Sequence, residues 1–153
     1  MKRLLSTLFC VLVVLVACAH TPKRFEGPLP DKALRITVTP PQYKEWWHEV
    51  EACAGRSKPF QSVRWYVVAS GPDGFPWRNP YRNNAVVWVA GLAYSMSDQI
   101  VMASGWLFSA GDVKHEMLHL IASPASHDPR FYQGSCAGVV SCVGACLTDP
   151  EAP

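Results

Sequence analysis

Two stretches of the chain carry hydrophobic residues at the spacing of an amphipathic helix. The first begins after Thr39, a candidate N-cap followed by Pro-Pro-Gln, and ends at Gly55, a residue typical of helix C-termini. Its hydrophobic positions follow the i, i+3, i+4 pattern that places side chains on one helix face. They are Tyr43, Trp46, Trp47, Val50 and Cys53. We therefore expect a helix over residues 40–54.

The second stretch covers residues 113–122 and has candidate signals at both ends. Ser109 or Asp112 can cap its N-terminus, and Pro124 lies just beyond its end. Four hydrophobic side chains fall within an arc of about 100° on a helical projection, which is typical of a face that packs into a core. They are Val113, Met117, Leu120 and Ile121. We expect this stretch to form the second helix.

Shorter hydrophobic runs predict the strands. Residues 63–67 alternate as a half-buried strand does. Residues 85–90 and 99–103 are almost continuously apolar, which indicates buried strands, and the interval between them is short enough for a hairpin connection. Residues 70–80 are rich in turn-forming residues. The chain is therefore expected to form a small α+β domain with an N-terminal helix, a short mixed or antiparallel sheet and a second helix.

The N-terminus has the pattern of an export signal. The basic start MKR precedes an unbroken apolar run over residues 8–17, which is too short to span a membrane. The run ends in the letters LVAC, with Cys18 last, and this ending resembles the lipobox of bacterial lipoproteins. That resemblance implies a lipid on Cys18, and Ala19 after it favours the outer membrane if the host is diderm. An ordinary signal peptide cleaved near Ala17 or Ala19 is the alternative.

Removal of the signal peptide would change the net charge of the chain. The formal net charge is +2, from 14 basic and 12 acidic residues, and the signal holds two of the basic ones. The processed chain is then neutral, so a nucleic-acid partner, which needs a basic surface, is not expected. We assign residues 1–17 to the signal peptide, residues 18–38 to a flexible tether and residues 39–153 to the domain. We expect a monomer that its lipid holds at a membrane.

Residues 115–119 read His-Glu-Met-Leu-His on the second helix. Because residues i and i+4 stack one turn apart, His115 and His119 can share one metal ion. Glu116 projects from the same turn, where its carboxylate can reach a water molecule at the metal without being a ligand. The HExxH pattern is typical of two zinc ligands and a general base.

A third ligand is expected after the helix. Catalytic zinc sites use three protein ligands and leave a fourth position to water. His127 follows the break at Pro124, which can turn the chain back toward the metal, and it is the preferred candidate. Asp128 is the alternative.

Residues 112–129 resemble the zincin superfamily of metallopeptidases. The resemblance implies a zincin-like domain with one zinc ion and hydrolysis of a peptide or protein substrate, with Glu116 as general base. It also implies that the strand before the helix pairs with the extended substrate. The subfamily stays unassigned, because no glycine lies between His119 and His127 and no methionine follows Met117.

Two further points stay open. An oxyanion donor is expected, and Tyr132 or Tyr94 could serve. The alternative function is a non-catalytic envelope lipoprotein with a structural or vestigial zinc site, although a structural site has no need of Glu116.

The four remaining cysteines belong to an exported domain, in which disulfides are the default. They are Cys53, Cys136, Cys142 and Cys146. Three pairings are possible. We prefer Cys53 with Cys136, tying the first helix to the segment after the metal site, and Cys142 with Cys146. A cysteine metal cluster is disfavoured, because the C-x5-C-x3-C spacing is not one that zinc sites use.

Overall fold

Two α-helices, a four-stranded sheet and a two-stranded hairpin lie in three layers in the computed structural model, which describes residues 27–122 and 127–142, and a short π-helical segment, Arg130–Ser135, follows the second α-helix. The export signal, Cys18 and Cys146 lie outside these ranges. Within them, no helix is both long enough and apolar enough to cross a membrane. The fold is α+β with a mixed sheet, as the hydrophobic patterns indicate.

Both predicted helices form, with shifted beginnings. Helix α1 spans Gln42–Ala54, and Pro41 occupies its N-cap position without a side-chain hydrogen bond, so the predicted cap at Thr39 is wrong. At the other end, Gly55 adopts φ 62° and donates its N–H to the Glu51 carbonyl, which confirms the predicted stop.

Helix α2 spans Ala110–Ala122 and includes the whole HExxH segment. It begins after Ser109, whose hydroxyl donates to the Asp112 carboxylate and whose carbonyl accepts the Val113 N–H at 3.0 Å. The predicted hydrophobic face is buried, and the opposite face is buried as well. This helix therefore lies in the interior rather than on the surface.

The sheet contains four strands in the order β1-β2-β6-β5. They are β1 (Leu34–Ile36), β2 (Arg64–Val68), β5 (Gly91–Tyr94) and β6 (Gln99–Ala103). The pair β2–β6 is parallel, and the pairs β1–β2 and β5–β6 are antiparallel. Strand β6 therefore has a partner on both sides, and β1 and β5 are the edges. Residues 18–38 were expected to form a flexible tether, whereas Leu34–Ile36 pair with β2.

A separate hairpin corrects the predicted strand order. It consists of β3 (Phe75–Asn79), in the stretch expected to be turns, and β4 (Ala85–Val89). Residues 85–90 were expected to be buried and to pair with residues 99–103. Instead, Val86 and Trp88 are 53% and 62% exposed, and the antiparallel partner of β6 is β5, which lies in the predicted connection. An apolar run without alternation does not show which neighbour a strand will pair with.

The two faces of the sheet pack into two cores. Trp65, Ile100 and Met102 face the helices and contact a cluster that includes Tyr43, Trp47, Met117 and Leu120. Val101, Leu92 and Tyr94 face the hairpin and pack with Phe75 and Trp77. Alternate strand residues point to opposite faces, which is why neighbouring positions belong to different cores.

One disulfide joins the first helix to the segment after the metal-site residues. Cys53 and Cys136 are bonded, with Cα atoms 5.0 Å apart, and this is the pairing preferred from the sequence. Cys142 is also disulfide-bonded, and its partner lies outside the described residues. The pairing of Cys142 with Cys146 stays a prediction.

Removing the described disulfide should lower stability strongly. It closes a loop with a sequence separation of 83 residues, so in the chain-entropy model it disfavours the unfolded state by about 4.5 kcal/mol. We expect the Cys53→Ala/Cys136→Ala variant to lose about that much free energy of unfolding, measured by urea denaturation without reductant. An unchanged urea midpoint would show that the bond contributes nothing to stability.

Candidate metal centre

Helix α2 brings His115 and His119 together one turn apart. Their Nε2 atoms are 3.2 Å from each other, and the two side chains are 8% and 7% exposed. The helix packs against β5 and α1, so these imidazoles point into the protein rather than into solvent. Two buried imidazoles this close need a shared proton or a shared cation between them.

His127 completes the cluster. Its Nε2 lies 2.9 Å from the Nε2 of His115, and the side chain is 3% exposed. The candidate ligand atoms of His115, His119 and His127 all lie within 4.8 Å of one another, so the three residues could hold a metal ion. Ligand atoms in a tetrahedral site with metal–nitrogen bonds of about 2.0–2.1 Å lie roughly 3.3 Å apart. The observed separations are close to that value.

Asp128, the alternative third ligand, lies next to the cluster in sequence but has other partners. Its carboxylate accepts hydrogen bonds from the backbone N–H and the guanidinium of Arg130. These hydrogen bonds hold the pKa of Asp128 below its ordinary value. The structure therefore favours His127 over Asp128 as the third residue of the site.

A backbone carbonyl orients His115. The Nδ1–H of this imidazole donates to the Ser141 carbonyl at 2.6 Å. Since a neutral imidazole carries one N–H, this bond leaves the Nε2 lone pair free and directs it toward the other two histidines. A metal-ligating histidine commonly donates its second nitrogen to a carbonyl or carboxylate in this way.

Burial keeps the histidines in the form that binds metals. It lowers the pKa of His127 to about 3, with a further contribution from the neighbouring His115. It also lowers the pKa of His115, and the hydrogen bond to Ser141 opposes that shift. Both imidazoles are therefore neutral at pH 7, as coordination requires.

Glu116 is buried beside the histidine cluster and against β5. Its side chain is 6% exposed, and burial, followed by the charge of Asp112, raises its pKa to about 8. A Cβ on Gly91 would lie 2.7 Å from the Cγ of Glu116, so the glutamate side chain packs directly against the backbone of β5 at a position that has no side chain. A carboxyl group with a raised pKa next to a metal site is suited to exchanging protons.

Tyr132 covers the three histidines. Its ring centroid is 4.9 Å from that of His115, 5.6 Å from His119 and 4.8 Å from His127. Its hydroxyl is buried and has no hydrogen-bond partner among the described residues. Burial raises the pKa of Tyr132 well above its ordinary value, and the charge of Glu116 adds to the effect. A neutral hydroxyl donor therefore lies at the site.

Other candidates from the sequence lie elsewhere. Tyr94, the second candidate oxyanion donor, packs into the hairpin core, and its hydroxyl donates to the Pro28 carbonyl. Sequence reasoning missed Ser141 and Gly91, which contribute backbone rather than side-chain chemistry. No motif in the sequence marks either residue.

Comparisons of this chain with protein-family models, with curated proteins and with solved structures give no match. The resemblance of residues 112–129 to the zincin superfamily therefore stays a prediction from the sequence.

The metal-free protein should lose stability as the pH falls below 7. Histidine in an unfolded chain has a pKa near 6.5, whereas the folded pKa of His127 is about 3. The folded state thus binds fewer protons, and the stability from this group is complete above pH 6.5 and falls as the pH drops toward 3. Between pH 7 and pH 5 the loss from His127 is about 2 kcal/mol.

The check is urea denaturation with a chelator at both pH values, for the wild type and for His127→Gln. We expect the wild type to lose more stability than the variant over this interval, because glutamine does not titrate. Equal losses would contradict the buried, neutral state of His127.

Proposed function

We propose that this chain is a zinc metallopeptidase that hydrolyses peptide bonds in an exported peptide or protein, and that a lipid on Cys18 tethers it to the cell envelope. The observation that carries the activity is the convergence of three buried imidazoles beside a buried glutamate with a raised pKa. The tether and an outer-membrane location in a diderm host rest on the lipobox-like ending of the signal. This assignment makes residues 115–119 the active-site helix of a zincin-like domain.

The donor set fits zinc. Imidazole nitrogen is a preferred zinc ligand, and three of them leave a fourth coordination position open. His115, His119 and His127 would hold the ion, and the Ser141 carbonyl would keep His115 in the correct tautomer. When bound, zinc acts as a Lewis acid that lowers the pKa of water and polarises a carbonyl oxygen.

Glu116 and Tyr132 have distinct roles in this proposal. The charge of a bound cation would lower the Glu116 pKa from its raised metal-free value of about 8, and the ionised carboxylate would then accept a proton from the attacking water and deliver it to the leaving amine. Tyr132 keeps its hydroxyl proton and donates a hydrogen bond to the oxyanion that develops on the substrate carbonyl. The hydroxyl supports this role because it is buried and has no hydrogen-bond partner among the described residues, so it is available to donate.

The substrate would lie along β5. The strand immediately before the helix, β6, has a partner on both sides, so it cannot add a further strand as the zincin resemblance implied. Strand β5 is one of the two edge strands of the sheet among the described residues, and Gly91 at its beginning contacts Glu116. The backbone of an extended peptide that pairs with the outer side of β5 would lie next to Glu116. Its recognition would then depend mainly on main-chain hydrogen bonds and little on the side chains of the peptide.

A structural zinc site is the second candidate. The burial of all three histidines and the position of the Tyr132 ring over them favour it, because structural sites are closed. In that case the tyrosine oxygen would be the fourth ligand, and Glu116 would have no function.

Replacing the general base should abolish hydrolysis and leave zinc in place. We expect Glu116→Gln to bind one equivalent of zinc and to cleave a peptide library at least 10²-fold more slowly than the wild type, because base removal typically costs 10²- to 10⁴-fold. Glu45→Gln, at an exposed position in the first turn of α1, is the matched control and should be fully active. Zinc binding by the wild type without any chelator-sensitive cleavage would refute the proposed enzyme.

Tyr132→Phe separates the two candidates. For an oxyanion donor, we expect unchanged zinc affinity and a kcat about 10²- to 10³-fold lower. For a fourth ligand in a structural site, the same variant would lose zinc affinity. Isothermal titration with zinc and single-turnover cleavage measure the two quantities separately.

A further inference from the structure

Ser141 lies against the first turn of α2. Its N–H donates to the Gly111 carbonyl at 3.1 Å, and its own carbonyl accepts the Nδ1–H of His115 at 2.6 Å. The same peptide segment therefore bonds to the helix backbone and, one turn further along, to a histidine of the metal centre. The contact places a residue 26 positions away in the sequence next to His115.

A side chain at position 111 would crowd Ser141. A Cβ there would lie 2.0 Å from the Ser141 Oγ, so the hydroxyl would have to rotate away, and 3.0 Å from the Ser141 Cβ, which is tighter than nine in ten real Cβ contacts. The backbone of Gly111 is ordinary helix without a positive φ, so its conformation would suit an alanine. The glycine is needed for close approach and not for conformation.

The segment before Ser141, residues 136–140, is fixed by a disulfide, by backbone hydrogen bonds and by packing into the core. Cys136 is fully buried and bonded to Cys53, and its carbonyl accepts the N–H groups of Val139 and Val140. Val140 is 7% exposed and belongs to the helix-side core. The position of the Ser141 carbonyl is therefore fixed by the disulfide at Cys136 and by the hydrogen bond from Ser141 to Gly111 in α2.

We propose that the Gly111–Ser141 contact is a positioning device for the metal centre: it sets the Ser141 carbonyl so that His115 presents its Nε2 to the ion. Gly111 and Ser141 are positioning residues, because neither offers a ligand atom to the metal. The proposal rests on the proposed function for the existence of the zinc site, and it adds the contact that determines zinc affinity.

The test is a zinc titration of the full chain carrying Gly111→Ala. We expect a zinc affinity about 10- to 100-fold weaker than that of the wild type, the range typical for the loss of an outer-sphere hydrogen bond. Gly71→Ala is the matched control, because a Cβ there meets no atom within 4 Å and its φ is not positive. We expect this control to bind zinc as the wild type does.

A double variant that exchanges the larger and the smaller residue distinguishes a positioning role from a general loss of stability. In Gly111→Ala/Ser141→Gly the serine Oγ and Cβ are removed, and the nearest remaining atom is the Ser141 nitrogen, 3.3 Å from the new Cβ. Because the hydrogen-bonding group is a backbone carbonyl, the swap keeps it. We expect the double variant to recover at least tenfold in zinc affinity over Gly111→Ala alone. Failure to recover would overturn the proposal.

The tautomer of His115 gives a second readout, one that needs no zinc. In ¹⁵N-labelled metal-free protein, we expect a single Nδ1–H tautomer in the wild type and in the swap, and a mixture in Gly111→Ala. Unchanged zinc affinity and tautomer in Gly111→Ala would refute the positioning role. If the wild type binds no zinc, the proposed function fails, while the tautomer measurement still decides the positioning role.

Discussion

Three buried imidazoles meet in the interior of this protein, and the rest of the structure follows from the cost of keeping them there. His115, His119 and His127 are each less than 10% exposed, and their candidate ligand nitrogens lie within 4.8 Å of one another. Buried polar nitrogens cost free energy unless they share a proton or a cation. A shared cation satisfies all three at once. Burial lowers the pKa of His115 and His127 and so keeps the lone pairs available for such a cation.

The fold surrounds this cluster from several directions. The four-stranded sheet supports α2 from one side, and α1 supports it from another, so a helix that carries polar ligands is nonetheless buried. The chain after the helix returns across the site with Tyr132 and then with Ser141, and the disulfide between Cys53 and Cys136 ties that return to α1. A small domain thereby holds its site with covalent as well as packing constraints.

The sequence predicted the parts of the site that have a local signature. The spacing of His115, Glu116 and His119 on a helix is a local feature. So is Pro124, the helix break after which the chain can turn back and bring His127 to the metal site. The strand pairing was not predictable in the same way, because β4 is apolar but half solvated and β5 is only four residues long. Ser141 acts through a carbonyl that every residue possesses, so only the tertiary contact with His115 reveals it.

X-ray absorption spectroscopy of the zinc-loaded protein would identify the atoms that bind the ion. We expect three imidazole nitrogens and one oxygen at about 2.0–2.1 Å from the ion, with the multiple scattering that histidine rings produce. A spectrum with sulfur ligands, or one whose histidine signal does not change in His119→Ala, would contradict a zinc site built from these three residues.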